Sequence, residues 1–154
     1  MQLYNIPYLI KGSSFTDERG KISFVNDFEF NNVKRFYIIK HFNKTIRAWQ
    51  GHQKEEKYFY AITGTFLVNL IKIDNWQSPS KLINPTQFYL NTNKQNILFI
   101  PKGFVNGFVN LENNSELLVF STTTLKESIK DDYRYDKNYF TNAKWESEFE
   151  QKIN

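Results

Sequence analysis

The sequence predicts an all-β fold, an antiparallel sandwich or barrel, with a short helix near the C-terminus. Three observations predict it. Phe and Tyr are abundant, at 15 and 9 residues, with Val and Ile beside them, and such side chains suit a pleated surface. Short runs of them recur at regular spacing with polar turns between, the pattern of sandwiches and barrels. Near the C-terminus the period changes: Trp145, Phe149 and Ile153 recur at i, i+4 and i+8, one apolar stripe of a helix.

Taken in order, residues 4–9 form a short apolar segment interrupted by Pro7, at most an edge strand. Residues 15–20 form a turn, with Asp17 and Gly20 supplying its chemistry, before a strand at 21–26. Arg19 in that turn can reach a phosphate or stay solvated. Residues 33–41 are a strand ending at His41, read as a surface or rim histidine. After a central unit at 47–64, residues 65–73 alternate well, and 74–80 carry turn signals. Strands follow at 86–90, 97–100, 104–111 and 116–124. Residues 141–153 read as the helix, with Asn142 a candidate cap and the apolar stripe expected to pack on the barrel.

Composition narrows the function. The 154 residues fit one domain, 1–154, with a full core. The net charge of +4 comes from scattered residues, so nucleic acid is not expected as a partner, while an anionic small ligand is compatible. The absence of cysteine excludes disulfides and Cys-ligated zinc. No basic region followed by an apolar run opens the chain, and no apolar run approaches the roughly 18 residues of a membrane span. A cytoplasmic protein without a membrane partner is expected.

The central unit, RAWQGHQKEEKYFYAITG, is where chemistry concentrates. It holds Arg47, Gln50, His52, Glu55, Glu56 and Lys57 between two strand-like segments and ends at Gly64. So polar a run is wasteful in a plain core strand and suits the floor of a pocket. Strand alternation puts Arg47, Trp49 and Gly51 on one side and Ala48, Gln50 and His52 on the other.

The ordered motifs Asp17-x-Arg19-Gly20, Arg47-x-Trp49-Gln50-Gly51-His52, Lys57-Tyr-Phe with Gly64, Ser78-Pro79-Ser80, Ile100 to Phe108 and Tyr133-Arg-Tyr-Asp136 carry a resemblance. Over roughly residues 15–140 the chain resembles the jelly-roll cupins that act on nucleotide-linked 4-keto sugars. These are the dTDP-4-dehydrorhamnose 3,5-epimerases and the dTDP-4-keto-6-deoxyhexose 3,4-ketoisomerases. The resemblance implies a cupin jelly-roll sandwich, a homodimer, a nucleotide-sugar substrate and a role in surface polysaccharide synthesis. It implies no cofactor, since the ketone stabilises the carbanion.

Carried over residue by residue, the resemblance is uneven. Gln50 stands at the family's base position, and His52 matches the second histidine of the ketoisomerases. Asn106 replaces the histidine of the proline loop, and the strand after it lacks the epimerases' tyrosine acid. Arg47, Lys57 and Asp136 match positions that handle phosphate, carbonyl oxygen and histidine orientation. Proton removal next to a ketone needs a base near neutral pKa and a cation or donor at the oxygen. The expected catalytic set is therefore His52, Lys57 and Asp136. His52 would serve as base one strand step beyond Gln50, with Lys57 or Arg47 at the enolate and Glu55, Glu56 or Asp136 orienting the histidine. Arg19, Arg47, Trp49, Gln50 and Asn106 are the expected substrate-binding residues. Tyr37, Tyr58, Tyr60, Tyr133 and Tyr135 are candidate acids. With one histidine in the unit, no metal site is expected. The alternative is a nucleotide-sugar- or carbohydrate-binding cupin that has lost the base.

Overall fold

A computed structural model describes residues 5–146. Twelve strands and one short helix form β1 (Tyr8–Ile10), β2 (Ser13–Asp17), β3 (Gly20–Phe24), β4 (Arg35–His41), β5 (Ile46–Gly51), β6 (Lys57–Thr63), β7 (Thr65–Lys72), β8 (Thr86–Asn91), β9 (Ile97–Ile100), β10 (Phe104–Asn110), β11 (Ser115–Ser121), α1 (Leu125–Ile129) and β12 (Tyr133–Arg134). Two five-stranded antiparallel sheets face each other, ordered β1-β9-β6-β11-β4 and β12-β5-β10-β7-β8, while β2 and β3 make a separate hairpin. This is the expected all-β sandwich of cupin type.

The core forms because alternate residues of each sheet point inward. Phe59, Phe66, Val68, Leu70, Leu117 and Val119 fill the space between the sheets, none more than 1% exposed. The β6–β7 turn is closed by Gly64 at φ +76°, where a Cβ would also strike the Ser115 side chain. In β7 both faces are buried, because the outer face is covered by the C-terminal segment: Asn69 donates to the Lys144 carbonyl at 2.7 Å.

That segment differs from expectation. The described part of the predicted helix, residues 141–146, is turn and irregular chain, and 147–154 lie outside the described residues. Trp145 still packs inward, 5.1 Å from the Trp49 ring. Of the apolar stripe, Phe149 and Ile153 lie outside the described residues. The helix lies instead at Leu125–Ile129, held by a capping box in which Thr124 and Glu127 satisfy each other's backbone N–H groups. Among the described residues no helix is long and apolar enough to cross a membrane.

Candidate active site

A pocket of about 570 Å³ opens between the two sheets, walled by β4, β5, β6 and β10 and closed over by α1 and residues 132–135. Of the expected site residues, Arg47, Trp49, Gln50, Lys57 and Asn106 line it, and they are joined by Arg35, Tyr37, Asp132 and Arg134. Arg47 and Gln50 share this wall because strict alternation fails on β5. β10 advances two residues, from Asn106 to Phe108, while β5 advances three, from Gln50 back to Arg47. The extra residue is a bulge, which re-aims the side chains on either side of it.

Lys57 is 3% exposed. Its Nζ donates to Gln50 Oε1 at 3.0 Å and lies 3.9 Å from Glu55 Oε1. Burial pulls its pKa from 10.5 down to about 8, against the pull of Glu55 and with help from Arg35. Ammonium can only donate, so Gln50 must turn its oxygen to Lys57, and its Nε2 then donates to Asp132 Oδ1 at 2.9 Å. Burial alone would raise the Asp132 carboxyl, but the bonds from Gln50 and Arg134 bring it below the usual value. Asn106, 4% exposed, ties β10 to β5 by donating to the Gln50 carbonyl at 3.0 Å. Tyr37 also lines the pocket, its hydroxyl pushed up to about 12 by burial and then by Glu55.

Behind this wall lies a second layer. Glu55, 2% exposed, accepts from Ser121 Oγ at 2.8 Å and from Arg35 at 3.4 Å. Burial raises its carboxyl, but Lys57 and its hydrogen-bonding neighbours outweigh that and hold it down. His52 is 3% exposed and does not line the pocket; its Nδ1–H donates to the Asp131 carbonyl at 2.6 Å. Nε2 of His52 has no hydrogen-bond partner. Burial, followed by the charge of Lys57, lowers the imidazole pKa. His52 and Gln50 therefore do not share the pocket face, contrary to simple alternation.

Three further expectations, for Asp136, Arg19 and His41, are corrected by position. Asp136 is exposed at a turn, where its carboxylate accepts the Asn138 N–H at 2.8 Å, so it does not orient His52; the Asp131 carbonyl does. Trp49 borders the pocket, as expected of it, while its 1% exposed side chain packs against Phe140 and Trp145 under the C-terminal segment with its indole N–H on the Lys137 carbonyl. Gly107 makes room for that packing, since a Cβ there would fall 2.6 Å from Trp145 and 2.9 Å from Trp49. Arg19 stands on the β2–β3 hairpin, its side chain 78% exposed and paired with Asp17 at 2.6 Å, off the pocket wall. His41, read as a rim residue, is buried at 2%.

Sequence reasoning missed the loop that closes the site. Asp131 is 6% exposed, and its carboxylate accepts the backbone N–H groups of Gln53, Lys54 and Glu55. β12 then pairs Tyr133 with Gly51 and Arg134 with Gln50. The polar run 131–136 was the available signal, but a two-residue strand has no periodicity to detect.

A sandwich with a polar pocket walled by both sheets at its β5–β6 end defines a cupin. The chain belongs to the FdtA family of WxcM-like C-terminal domains, whose model matches residues 5–145. That membership agrees with the resemblance read from the motifs. Among solved structures, the chain is similar to the 3,4-ketoisomerase QdtA of Thermoanaerobacterium thermosaccharolyticum in complex with TDP. Identity is 23% and the TM-score 0.67, over 92% of this chain and 96% of that one. A 3,4-ketoisomerase of Helicobacter canadensis is 18% identical at TM-score 0.66, over 88% and 95%. The rmlC epimerase of Mycobacterium tuberculosis is 13% identical at TM-score 0.73, over 94% and 76%. No curated protein matches the chain.

Proposed function

We propose that this protein is a cofactor-independent epimerase or ketoisomerase of a nucleotide-linked 4-keto-6-deoxy sugar, acting in the cytoplasm as a homodimer in surface polysaccharide synthesis. The observation that carries the reading is the chain of contacts Lys57–Gln50–Asp132 along one pocket wall, a cation and a carboxylate bridged by one amide. Lys57 is placed for the ketone oxygen. Asp132 takes the proton from the neighbouring carbon, and the electron pair moves onto the oxygen beside Lys57 as an enolate. Returning the proton to the opposite face of that carbon completes an epimerisation. Delivering it to the former carbonyl carbon, while the proton of the adjacent hydroxyl passes to the enolate oxygen and that hydroxyl carbon becomes the new ketone, completes a ketoisomerisation. Arg35, Arg47 and Arg134 give the pocket positive charge suited to a diphosphate. His52 acts from behind the wall as a positioning residue, through Asp131.

The test is proton NMR of dTDP-4-keto-6-deoxyglucose with the protein in deuterated water. Loss of the H3 signal indicates C3 chemistry, and loss of H3 and H5 together indicates a 3,5-epimerase. Asp132→Asn is expected to slow exchange by about 10²- to 10⁴-fold, as loss of a general base does. With Asp132 as base, exchange at saturating substrate stays constant as pH falls through 6; an acid limb there under saturation would move the role to a histidine.

A second reading rests on Gln50 at the family's base position and on the burial of His52 away from the pocket. It is a nucleotide-sugar-binding cupin without turnover. Saturable binding with no C–H exchange would select it.

A further inference from the structure

Arg47 lines the pocket from β5, and its side chain is held at one end. Its Nε donates to His41 Nε2 at 2.8 Å. On the other side of the ring, His41 Nδ1 lies 2.8 Å from Asn110 Oδ1. The protonation of this chain follows from its partners. The Thr45 backbone N–H, which can only donate, faces the same Asn110 atom at 2.8 Å, so that atom is the oxygen. The Asn110 nitrogen correspondingly faces two carbonyls, Asn43 at 3.2 Å and Glu112 at 2.7 Å. An amide oxygen carries no proton, so His41 Nδ1 must bear one. Arginine Nε always bears one, so His41 Nε2 must be the lone pair. Both ends demand the same neutral tautomer.

We propose that His41 is the positioning residue for Arg47: locked by Asn110 as the Nδ1–H tautomer, it clamps the guanidinium on the pocket wall, where the two Nη groups are left to meet the diphosphate of the ligand. The ligand half of this proposal rests on the nucleotide-sugar reading. Protonation of His41 would set an N–H against an N–H and a cation against a cation, so the clamp opens in acid.

The surroundings favour the neutral ring. His41 is 2% exposed, stacked on Phe108 at 5.7 Å and met edge-on by Phe66. The charged residues around it are Arg47 on β5, which meets the ring, and Glu112 in the β10–β11 turn, whose carbonyl serves Asn110; Lys44 stands three residues further along the chain, in the β4–β5 turn. Lys40, next to His41 on its own strand, turns to the other face and pairs with Glu116. Burial lowers the imidazole pKa below its ordinary 6.5, the Asn110 bond pulls it back up, and Arg47 lowers it again. The clamp is therefore closed above that lowered value and lost as pH falls through it.

The experiment is a pH titration of the ¹⁵N-labelled full chain by NMR. It is simplified by the chain's having only two histidines. The expected result at pH 7.5 is a pyridine-type Nε2 for His41 and a slowly exchanging Arg47 Nε–H with a coupling across the N–H···N bond. That signal should vanish in step with His41 protonation. The opposite tautomer, or an Arg47 signal indifferent to His41, overturns the clamp. In parallel, affinity for TDP is measured across the same range for wild type and for His41→Phe, which keeps the ring packing and leaves Asn110 bonded to Thr45. The phosphate's own titration, near pH 6, is common to both proteins. Wild type is expected to bind about three- to tenfold more tightly than His41→Phe at pH 7.5, the two converging in acid. Equal affinity throughout overturns the ligand role. Absence of TDP binding at any pH overturns the nucleotide reading and the ligand half with it, while the Arg47 signal still decides the clamp.

Discussion

At the scale of single residues, Lys57 decides what the pocket can do. It is a cation kept in a buried place, and its burial is what brings its pKa to about 8. The sign of the consequence is fixed by its role. Below that value Lys57 is protonated and, in the proposed reaction, would stabilise an enolate oxygen; above it the charge is lost. Turnover is expected to fall on an alkaline limb near pH 8, and Lys57→Met is expected to lower kcat by about 10²-fold or more, as loss of an oxyanion donor does. The measurement is the pH dependence of kcat/KM, which reports groups of the free enzyme. An activity that rises unchanged past pH 9 would show that Lys57 does not act as a cation. Gln50 is the other decisive residue. It cannot take a proton, but it can join Lys57 to Asp132, and a histidine in its place would accept from one and donate to the other only in a single tautomer.

At the scale of elements, the site is a loop fastened to a strand. Asp131 accepts three backbone N–H groups of the β5–β6 connection, and this fixes where Glu55 and Lys57 begin. Asp131→Ala leaves the buried Glu55 N–H without its partner, at a cost of about 1–3 kcal/mol if it stays dry, and the half-buried N–H groups of Gln53 and Lys54 to find water. The expected outcome is a lower Tm together with loss of turnover; a Tm unchanged from wild type would show that water replaces the carboxylate at no cost. The same loop explains what could be read from sequence. Strands β4 to β11 were legible because their alternation records two different environments on their two faces. Lys57, Gln50 and Arg47 were legible as pocket residues because charge in a strand of a sandwich needs a pocket. Asp132 and Arg134 were not, since their place depends on β12 pairing with β5 across some eighty residues of chain. Nor was the burial of His52 and Trp49, because one bulge on β5 changes which side chains face inward. The helix at Leu125–Ile129 was missed because five residues give a capping signal but no period.

At the scale of the molecule, two apolar surfaces lack cover among the described residues. On the outer face of the first sheet, Phe36 is 66% and Ile38 54% exposed, paired across strands with Phe120 and Leu118. Phe28 and Phe30 pack on Phe120 beside them. On the β2–β3 hairpin, Phe15 and Ile22 stand directly opposite each other, 58% and 61% exposed. A lone two-stranded hairpin is marginal in water, and it gains stability only by laying such a pair on another surface. In the proposed homodimer, a second copy would supply both partners at once, the sheet face of each chain and the hairpin of the other, in an isologous arrangement. Burying Phe36 or Ile38 fully would contribute about 2 kcal/mol each. The chain, 18.4 kDa, is therefore expected to sediment as a dimer at micromolar concentration, and Phe36→Glu with Ile38→Lys is expected to release a folded monomer. The substitutions lie on the outer face, away from the pocket, so near-UV circular dichroism should be retained. A wild-type chain that sediments as a monomer would leave the hairpin without its partner and sink the dimer.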